Sequence, residues 1–340
     1  MSTAPVRDGS LREAPSGSEG SLVALLRACS DPARLNILRL LAGDAFGVGE
    51  LGTLLGLGQA TVSHHLKALT EVGLLTARRD GTHTFYRRSL PEGGTGAAVH
   101  AALLAELDAL PLTDAQQEAR TAVYDARAER SREFFSRHAD RFESSRDLIA
   151  LPNAYLPELA ELLPAVEADT GARALEVGPG PGEFLPELAG RYPAVVAVDV
   201  SAEMLERAGA LVGRTGLDGV ELVEGDLLDV DLPPASYDVA VCAMVLHHVP
   251  RPEALFARLA SLLAPGGTLL VAELCLHGQD WTRDHCGDVW PGFDTEELRR
   301  WATRAGLAVG ASQFLAQRNG FRIQLLRFEA PTGTSASNID

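Results

Sequence analysis

The chain has 340 residues, a formal net charge of −16 and four cysteines. This length favours two domains with ordinary cores, and the acidic total argues against a general affinity for nucleic acid. The sequence contains no apolar run of about 18 residues and no basic-then-apolar leader, so we expect a cytoplasmic protein with no membrane partner. The cysteines are too scattered for a disulfide scaffold and are expected to be thiols.

The N-terminal part of the sequence predicts a tail followed by short helices. Residues 1–20 are rich in Ser, Gly, Pro and Ala, a composition typical of a disordered tail. From Ser21 onwards leucines recur at helical spacing, and Asp31-Pro32 supplies an N-cap and a first-turn proline for a second helix. Gly43 is expected to end that helix.

The next segment predicts a helix with one apolar and one polar face. A short helix over 48–55 precedes a helix over 59–72, in which Val62, Leu66 and Leu69 share the core side. The opposite face bears donors and acceptors that suit base edges and phosphates in a major groove. These candidate DNA-binding residues are Gln59, Thr61, Ser63, His64 and Lys67.

A β-hairpin with a basic tip is predicted after this helix. Residues 74–77 and 82–88 are the predicted strands, and Arg78-Arg79-Asp80-Gly81 joins them through an Asp-Gly turn. Over residues 59–90 five basic residues stand against two acidic ones, so this segment is basic within an acidic chain. Arg78 and Arg79 are therefore further candidate DNA contacts. Helices and hairpin together predict a winged helix-turn-helix.

Three segments of this domain resemble the ArsR/SmtB family of dimeric bacterial repressors over residues 21–110. The matching segments are Asp31–Leu38, Gln59–Leu66 and Gly81–Tyr86. The resemblance implies a homodimer that binds double-stranded operator DNA. Where family members often carry a metal-binding cysteine pair, this chain has Phe46-Gly47-Val48-Gly49, so that sensing site is not expected.

No metal is predicted in the DNA-binding domain. His100, Glu106 and Asp108 lie on the last helix, where family members can bind metal, but they lack a paired-ligand spacing. We interpret them as the solvated face of a dimerisation helix. His64 and His65 are interpreted as recognition-helix residues, one exposed and one packed.

The segment between the domains predicts helical structure. A helix over 99–110 ends before Pro111, and a long polar helix with alternating charges follows over 114–141. The end of this second helix carries an aromatic face formed by Phe134, Phe135 and Phe142. That face either packs against the following sheet or closes over a ligand pocket, and the sequence leaves both open.

A glycine-rich turn marks the start of the second domain. Residues 173–182 predict a buried strand that runs into Gly178, Gly180 and Gly182, and Val198-Asp199-Val200 closes a second strand. Glycine suits a turn with positive φ and a close approach to a ligand, and the acidic residue can accept both ribose hydroxyls. These glycines lie two apart throughout, unlike the dinucleotide fingerprint, so the pattern predicts a nucleoside cofactor and no diphosphate cradle.

Later segments resemble the successive motifs of class I S-adenosylmethionine (SAM) methyltransferases. They are Asp199–Leu205, Gly225-Asp226-Leu227, Tyr237–Met244 and Pro265–Thr268, the last turning into a fifth strand, and with the glycine turn they cover residues 150–329. The resemblance implies an α/β fold in which a Rossmann-like domain with a seven-stranded, mostly parallel sheet follows the winged helix. It also implies SAM as the cofactor and S-adenosylhomocysteine (SAH) as its product.

The resemblance implies a role for each part of the cofactor site. Glu176 lies near the methionine end, the glycines pass under the adenosine, and Asp199 takes the ribose. Met204 packs on the adenine and Asp226 accepts a hydrogen bond from its amino group. The implied cofactor residues are Glu176, Gly178, Gly180, Gly182, Asp199, Val200, Met204, Gly225, Asp226 and Leu227.

Three histidines are candidate catalytic residues for a small-molecule methyl acceptor. His247 and His248 follow the fourth predicted strand at its carboxyl end, where open α/β sheets place their ligands. They either deprotonate the acceptor or line the cofactor, because methyl transfer from a sulfonium depends mainly on alignment. The third candidate, His277, belongs to a segment after the fifth strand.

That segment, residues 275–290, concentrates reactive side chains. Its thiols and imidazoles predict either a metal or metalloid site or an anion pocket walled by aromatic rings. No metal is assigned, because the spacing matches no zinc module, and the cysteines of arsenite methyltransferases lie elsewhere. The possible ligands are Cys275, His277, His285 and Cys286.

The predicted organisation leaves two functions. We favour a transcriptional regulator whose operator binding responds to SAM or SAH. The alternative is a small-molecule methyltransferase, with metalloids or thiols among its acceptors, whose winged helix serves dimerisation or autoregulation. The predicted segments are a tail over 1–20, an ArsR-type domain over 21–110, a linker and lid over 111–148, a methyltransferase domain over 149–330 and a disordered tail over 331–340.

Overall fold

The structure is a computed structural model that describes residues 18–80, 83–89, 93, 96–167, 171–279 and 281–332. The first helix begins at Ser18, inside the predicted N-terminal tail, and residues 1–17 and 333–340 of the predicted tails lie outside the described residues. The chain divides into two compact units, Met1–Thr121 and Ala122–Asp340. None of the helices in the described ranges has the length and hydropathy that a membrane span requires.

The described residues of the N-terminal unit form five complete helices and a small antiparallel sheet. Its elements are α1 (Ser18–Cys29), α2 (Pro32–Leu40), β1 (Phe46–Gly47), α3 (Val48–Leu55), α4 (Gln59–Glu71), β2 (Leu75–Asp80), β3 (His83–Arg88) and α5 (Ala97–Ala109). The sheet order is β1-β3-β2. Asp31 caps α2, because its carboxylate accepts hydrogen bonds from the backbone N–H groups of Ala33 and Arg34.

The hairpin differs in one detail from the prediction. Arg78, Arg79 and Asp80 belong to strand β2, and Asp80 pairs with His83 at the end of the ladder. The basic pair therefore lies on a strand, because the ladder continues further than the apolar pattern suggested. The predicted turn residue Gly81 lies outside the described residues.

The second unit is built on a seven-stranded sheet with the order β6-β5-β4-β7-β8-β10-β9. Neighbouring strands are parallel except that β10 runs antiparallel to both β8 and β9. Its elements are α6 (Asp114–Asp147, which begins in the first unit), α7 (Leu156–Glu161), β4 (Arg173–Val177), α8 (Leu185–Ala189), β5 (Ala194–Asp199), α9 (Ala202–Thr215), β6 (Val220–Glu224), β7 (Tyr237–Ala243), α10 (Pro252–Leu262), β8 (Leu263–Leu274), α11 (Trp281–Cys286), α12 (Thr295–Arg304), β9 (Ala308–Ala316) and β10 (Arg322–Glu329).

Two element boundaries differ from the predictions. Helix α6 runs to Asp147, six residues beyond the predicted end at Arg141. Strand β8 begins at Leu263, before the predicted turn at Pro265–Thr268. Gly266 and Gly267 are accommodated inside this strand beside a register shift between β7 and β8, so the turn signal marks an irregularity in the strand.

The core of the second unit lies on the faces of the sheet. The central strands β4, β5 and β7 are almost fully buried, as expected for parallel strands covered on both faces. Leu185 and Leu188 of α8 belong to the same buried cluster as Val195 and Val241 of the strands. This packing fixes the carboxyl ends of the three strands, where open α/β sheets bind ligands.

Candidate functional site

A cavity lies at the carboxyl ends of β4, β5 and β7. It is lined by nine of the ten predicted cofactor residues, and the exception is Gly182. The nine are Glu176, Gly178, Gly180, Asp199, Val200, Met204, Gly225, Asp226 and Leu227.

The glycine turn shapes the floor of this cavity, and each of its three glycines meets a different structural requirement. All three have positive φ, at +62° for Gly178, +53° for Gly180 and +87° for Gly182. A Cβ at Gly178 would lie 2.6 Å from Val245, whereas a Cβ at Gly180 would meet nothing within 4 Å. Gly180 therefore faces the open cavity. Gly182 instead lets α9 approach, because its Cβ would lie 3.2 Å from the Cα atom of Ala208.

Asp199 ends β5 beside this turn. Its carboxylate accepts hydrogen bonds from the backbone N–H of Ser201 at 2.9 Å and of Gly180 at 3.4 Å. Burial raises the pKa of Asp199 to about 6, although these hydrogen bonds act in the opposite direction. The carboxylate is therefore oriented by the glycine turn itself, at the edge of the cavity.

Glu176 is a buried carboxyl group at the floor of the cavity. Its side chain is 2% exposed, and among the described residues its Oε2 atom has no hydrogen-bond partner. Burial, with Asp199 and Glu183 nearby, raises the pKa of Glu176 to about 8. An acidic group that lacks a partner here is suited to a ligand that brings a positive charge.

Helix α6 forms one wall of the cavity. Phe135 packs on Met204 and contacts the ring of His248 edge to face, with 5.0 Å between ring centroids. Arg146 pairs with Glu183 at 2.6 Å. The lining residues of α6 are Ala128, Ser131, Arg132, Phe135 and Arg146. Ala128, Ser131, Arg132 and Phe135 follow helical spacing, which was visible in the sequence. Arg132 and Arg146 were not predicted as site residues.

The two predicted histidines also line the cavity and lie together in a 3-10 turn over Leu246–His248. The Nδ1 atom of His247 lies 2.6 Å from Oε1 of Glu273, which is fully buried at the end of β8. Burial alone would lower the pKa of His247, but the carboxylates of Glu273 and Asp288 raise it to about 9. Glu273 was not predicted as a site residue.

His248 and Asp288 complete this cluster. The Oδ1 atom of Asp288 lies 4.0 Å from Nε2 of His247 and 3.8 Å from Nδ1 of His248. Burial and the neighbouring His247 hold the pKa of His248 well below its usual range. Each of the three side chains offers a donor atom within 4.8 Å of the other two, a grouping that could accept a cation.

The structure describes all four possible metal ligands of the segment after β8. Among the residues that the structure describes, Cys275, His277, His285 and Cys286 form no cluster of three close donors. Cys286 lines the cavity, and burial raises the pKa of its thiol to about 12. His277 is absent from the cavity lining and packs against Phe321.

The polar face of α4 is accessible, as a DNA-reading helix requires. Val62, Leu66 and Leu69 are buried, and His65 is half-buried 3.8 Å from Asp31. Arg78 is half-buried on β2, and the side chain of Arg79 lies outside the described residues. The exposed residues of α4 include Gln59, Thr61, Ser63, His64 and Lys67.

The residues considered for metal on α5 have other environments. His100 is buried, and its pKa is lowered by burial and by Arg88. Asp108 accepts a hydrogen bond of 2.5 Å from Arg88, and Glu106 is exposed. Within the described part of the chain these three side chains do not converge on a metal site.

Comparisons with known proteins match both units. Residues 31–77 match the family model described as bacterial regulatory protein, arsR family, and residues 147–312 match the one described as methyltransferase domain. The chain joins an ArsR-family helix-turn-helix to a class I methyltransferase domain. The solved complex between the Haloferax volcanii Trm112 methyltransferase activator and its protein partner contains a chain that superposes with a TM-score of 0.50 at 19% identity, over 60% of this chain and 99% of that chain. This similarity shows the fold.

Curated relatives match the methyltransferase domain. The phosphatidylethanolamine N-methyltransferase of Cereibacter sphaeroides is 37% identical over 104 residues, 30% of this chain and 51% of that protein. A ubiquinone biosynthesis O-methyltransferase of Xanthomonas campestris is 36% identical over 125 residues, 36% of this chain and 51% of that protein. The chain spans about half the length of these relatives.

The cofactor of the methyltransferase domain is SAM, and the cavity residues fit it. The Oε2 atom of Glu176 has no hydrogen-bond partner among the described residues, and this carboxyl is suited to the positive charge of the methionine end. The open space at Gly180 gives the adenosine room to lie against the backbone. Asp199 presents a carboxylate that can accept the ribose hydroxyls.

We expect Asp199→Ala to weaken SAM and SAH binding by about 1–3 kcal/mol, the cost of leaving buried hydroxyls without their acceptor. Isothermal titration calorimetry with both ligands measures this loss. Asp218→Ala is the matched control, because Asp218 is exposed and does not line the cavity. Equal affinities for Asp199→Ala and the wild type would contradict the assignment.

We also expect SAM affinity to rise with pH between about 6 and 9. In the free protein Glu176 with a pKa of about 8 is protonated at neutral pH, whereas a cationic ligand favours the ionised form. Binding below pH 8 therefore releases a proton, and SAM affinity falls by up to tenfold for each unit by which the pH is lowered. Calorimetry in buffers of different ionisation enthalpy measures this proton. Glu176→Gln should flatten the profile, and a flat wild-type profile would refute the expectation.

Proposed function

We propose that this protein is a DNA-binding transcriptional regulator whose second domain is a SAM-dependent methyltransferase for a small-molecule acceptor, and whose operator affinity responds to SAM or SAH. The observation that carries the proposal is helix α6. It begins at Asp114 in the N-terminal unit, and its later turns supply Ala128, Ser131, Arg132, Phe135 and Arg146 to the cofactor cavity. One continuous helix thus belongs to both functional parts.

Methyl transfer is supported by two groups of cavity residues. The first group, the cofactor end, is suited to SAM, and the second group, the acceptor end, comprises His247, His248 and Cys286 in a largely buried environment. When bound, SAM supplies an electrophilic methyl group on sulfur. The protein would align an acceptor against it, exclude water and accept the proton of the acceptor at the histidines. The two relatives, named for methylating nitrogen and oxygen of small molecules, support an acceptor of this size.

The experiment for this half of the proposal is native mass spectrometry of the purified protein, followed by assays of SAH formation. Copurified SAM or SAH, and binding of both with Asp199 dependence, would support a working cofactor site. A protein that binds neither ligand would overturn it.

DNA binding is supported by the exposed polar face of α4 and the basic hairpin beside it. We propose that a homodimer, cytoplasmic as expected from sequence, binds an inverted repeat with its recognition helices one helical turn apart. Because the basic residues are local, affinity should fall steeply with salt despite the acidic total. A monomer that binds one half-site with full affinity would refute this arrangement.

We expect substitutions on the hairpin and on α4 to have different effects. Replacing Arg78 and Arg79 by alanine removes phosphate contacts and should weaken binding to all sequences alike, with a shallower salt dependence. Thr61→Ala or Gln59→Ala should instead change sequence preference, by about 1–3 kcal/mol at the affected base pair. Fluorescence anisotropy against a randomised operator panel distinguishes the two, and identical behaviour of both sets would contradict the assignment.

The second candidate is a small-molecule methyltransferase whose winged helix serves only dimerisation or autoregulation. The paired His247 and Glu273 at the acceptor end favour it, because a protein that only senses the cofactor has no need of a positioned histidine. Operator binding that is independent of SAM and SAH would make this the leading function.

A further inference from the structure

The ring of His247 is oriented by Glu273. The Oε1 atom of Glu273 lies 2.6 Å from Nδ1 of His247 and accepts a 2.6 Å bond from the backbone N–H of Leu274, while Oε2 accepts from the backbone N–H of His247 at 3.2 Å. With both oxygens engaged, the carboxylate is held in place. Because Nδ1 is tied to Glu273, Nε2 is the ring nitrogen of His247 that remains for proton exchange with a ligand.

The backbone of the histidine turn also makes hydrogen bonds that do not involve Glu273. The carbonyl of His247 accepts hydrogen bonds from the backbone N–H groups of Val289 at 2.8 Å and Trp290 at 3.0 Å. The indole N–H of Trp290 donates to the carbonyl of Val249 at 2.7 Å. A change of the Glu273 carboxylate to an amide should therefore leave the turn in position.

His248 has a different environment. Its Nδ1 atom lies 3.3 Å from the carbonyl oxygen of Gly287, and the ring of Phe135 stands against it. The Oδ1 atom of Asp288 lies 3.8 Å from the same Nδ1 atom, further than the 2.6 Å between Glu273 and His247. Of the two predicted histidines, His247 is therefore the one arranged to accept and hold a proton.

The charged groups around His247 come from several elements. Glu273 faces His247 from β8, and Asp288 faces it from the segment after α11. The ring centroids of His247 and His248 lie 4.1 Å apart. Arg127 of α6 stacks at 4.8 Å over Trp290, which bonds to the His247 carbonyl. The two carboxylates stabilise an imidazolium, so a proton that reaches Nε2 is retained while the transfer takes place.

We propose, resting on the methyltransferase function above, that Glu273 is a positioning residue which makes His247 the proton acceptor, and that the methyl acceptor is a phenol or a thiol. Such nucleophiles must lose a proton to attack well, whereas a neutral amine attacks without prior loss. A phenol has an ordinary pKa of about 10 and a thiol one of about 8.5, so both are largely protonated at neutral pH and need a base such as the oriented imidazole of His247.

The proposed step balances in atoms and electrons. The O–H or S–H proton of the acceptor moves to Nε2 of His247, and the oxygen or sulfur attacks the methyl carbon. The bond from that carbon to the sulfonium breaks with its electron pair on sulfur, which leaves SAH as a neutral thioether. The methylated acceptor departs, and the imidazolium loses its proton to water.

The experiment compares acceptors and follows pH. Catechol, 2-mercaptoethanol and benzylamine are incubated with SAM and the full-length protein between pH 6 and 10, and SAH is measured. We expect the phenol or the thiol to be methylated in preference to the amine, with a rate that rises with pH and levels off near 9. Glu273→Gln should lower the plateau of the methylation rate about 100-fold and move the midpoint of the pH profile toward the usual histidine range. The control Asp238→Asn lies on the exposed side of β7 and should change neither the plateau nor the midpoint.

Nitrogen-15 NMR of the histidine rings gives a readout that requires no acceptor. The midpoint of His247 should lie near 9 in the wild type and lower in Glu273→Gln, and equal midpoints would overturn the proposal. Preferential methylation of benzylamine would also overturn the proposal. So would a methylation rate that requires Mg²⁺ or Mn²⁺ and is lost with EDTA, since His247, His248 and Asp288 would then hold a cation.

If SAM binds but none of the three acceptors yields SAH while the midpoints differ as expected, the pairing of His247 with Glu273 stands and the assignment to phenols and thiols fails. A protein that binds no SAM would instead overturn the methyltransferase function itself.

Discussion

Gly180→Val is expected to reduce SAM and SAH binding at least 100-fold, or by about 3 kcal/mol, while the protein remains folded. The φ of Gly180 is +53°, a conformation that a β-branched residue adopts only with strain. A Cβ atom there would meet nothing within 4 Å, so we expect the valine side chain to extend into the cavity and take the space of the adenosine. The N–H of Gly180 also supports Asp199. Calorimetry and thermal unfolding measure the two effects separately.

The chain offers a matched control for backbone strain. Gly216 ends α9 with a φ of +64°, and a Cβ there would also meet nothing within 4 Å, but it does not line the cavity. Gly216→Val should therefore lower the melting temperature to a similar extent and leave SAM affinity unchanged. Wild-type affinity in Gly180→Val, or equal loss of affinity in both variants, would refute the role given to Gly180.

The cofactor end of the cavity was largely predictable because its residues are set by local geometry. A buried strand, a turn with positive φ and an acidic residue at the next strand end are all visible as short sequence patterns. The structure places Glu176, Gly180 and Asp199 along one cavity as these patterns imply. Gly182 differs because its requirement comes from the close approach of Ala208, a packing contact that no local pattern reports.

The acceptor end was less predictable because it depends on which distant segments meet. Glu273 reaches His247 only because β8 lies beside β7 in the sheet, 26 residues further along the chain. Asp288 reaches the same point through a segment that has no regular periodicity. Sequence analysis therefore found the histidines and missed their carboxylate partner, and it placed weight on His277, which packs against Phe321 outside the cavity lining.

The wall formed by α6 was only partly predictable from the sequence. The aromatic face was recognised, but its two alternatives were left open, since periodicity shows that a face is apolar without showing what it covers. In the structure Phe135 covers Met204 and His248. Arg132 was treated as part of an exposed charge pattern, and Arg146 lay beyond the predicted end of this helix, because the sequence does not show where α6 passes the cavity.

The second large effect concerns coupling between cofactor and DNA. We expect saturating SAM and saturating SAH to shift operator affinity by different factors, within the range of about 5- to 150-fold that is typical of coupled sites. SAM and SAH differ in charge at sulfur, and Glu176 at the cavity floor can distinguish them. A ligand shifts an equilibrium only by its differential affinity for the two states. Anisotropy titrations of operator DNA with SAM, with SAH and with neither measure the effect.

Two variants of α6 distinguish coupling from mere attachment of the domains. Phe135→Ala removes the contacts of α6 with Met204 and His248 and should bring the three operator affinities together, with little change in the ligand-free value. Arg137→Ala, at an exposed position on the same helix, should preserve the differences. Linkage requires operator DNA to change SAM or SAH affinity by the same factors. Three equal operator affinities in the wild type would leave the two domains as tethered neighbours, and the function of the chain would then be that of the enzyme alone.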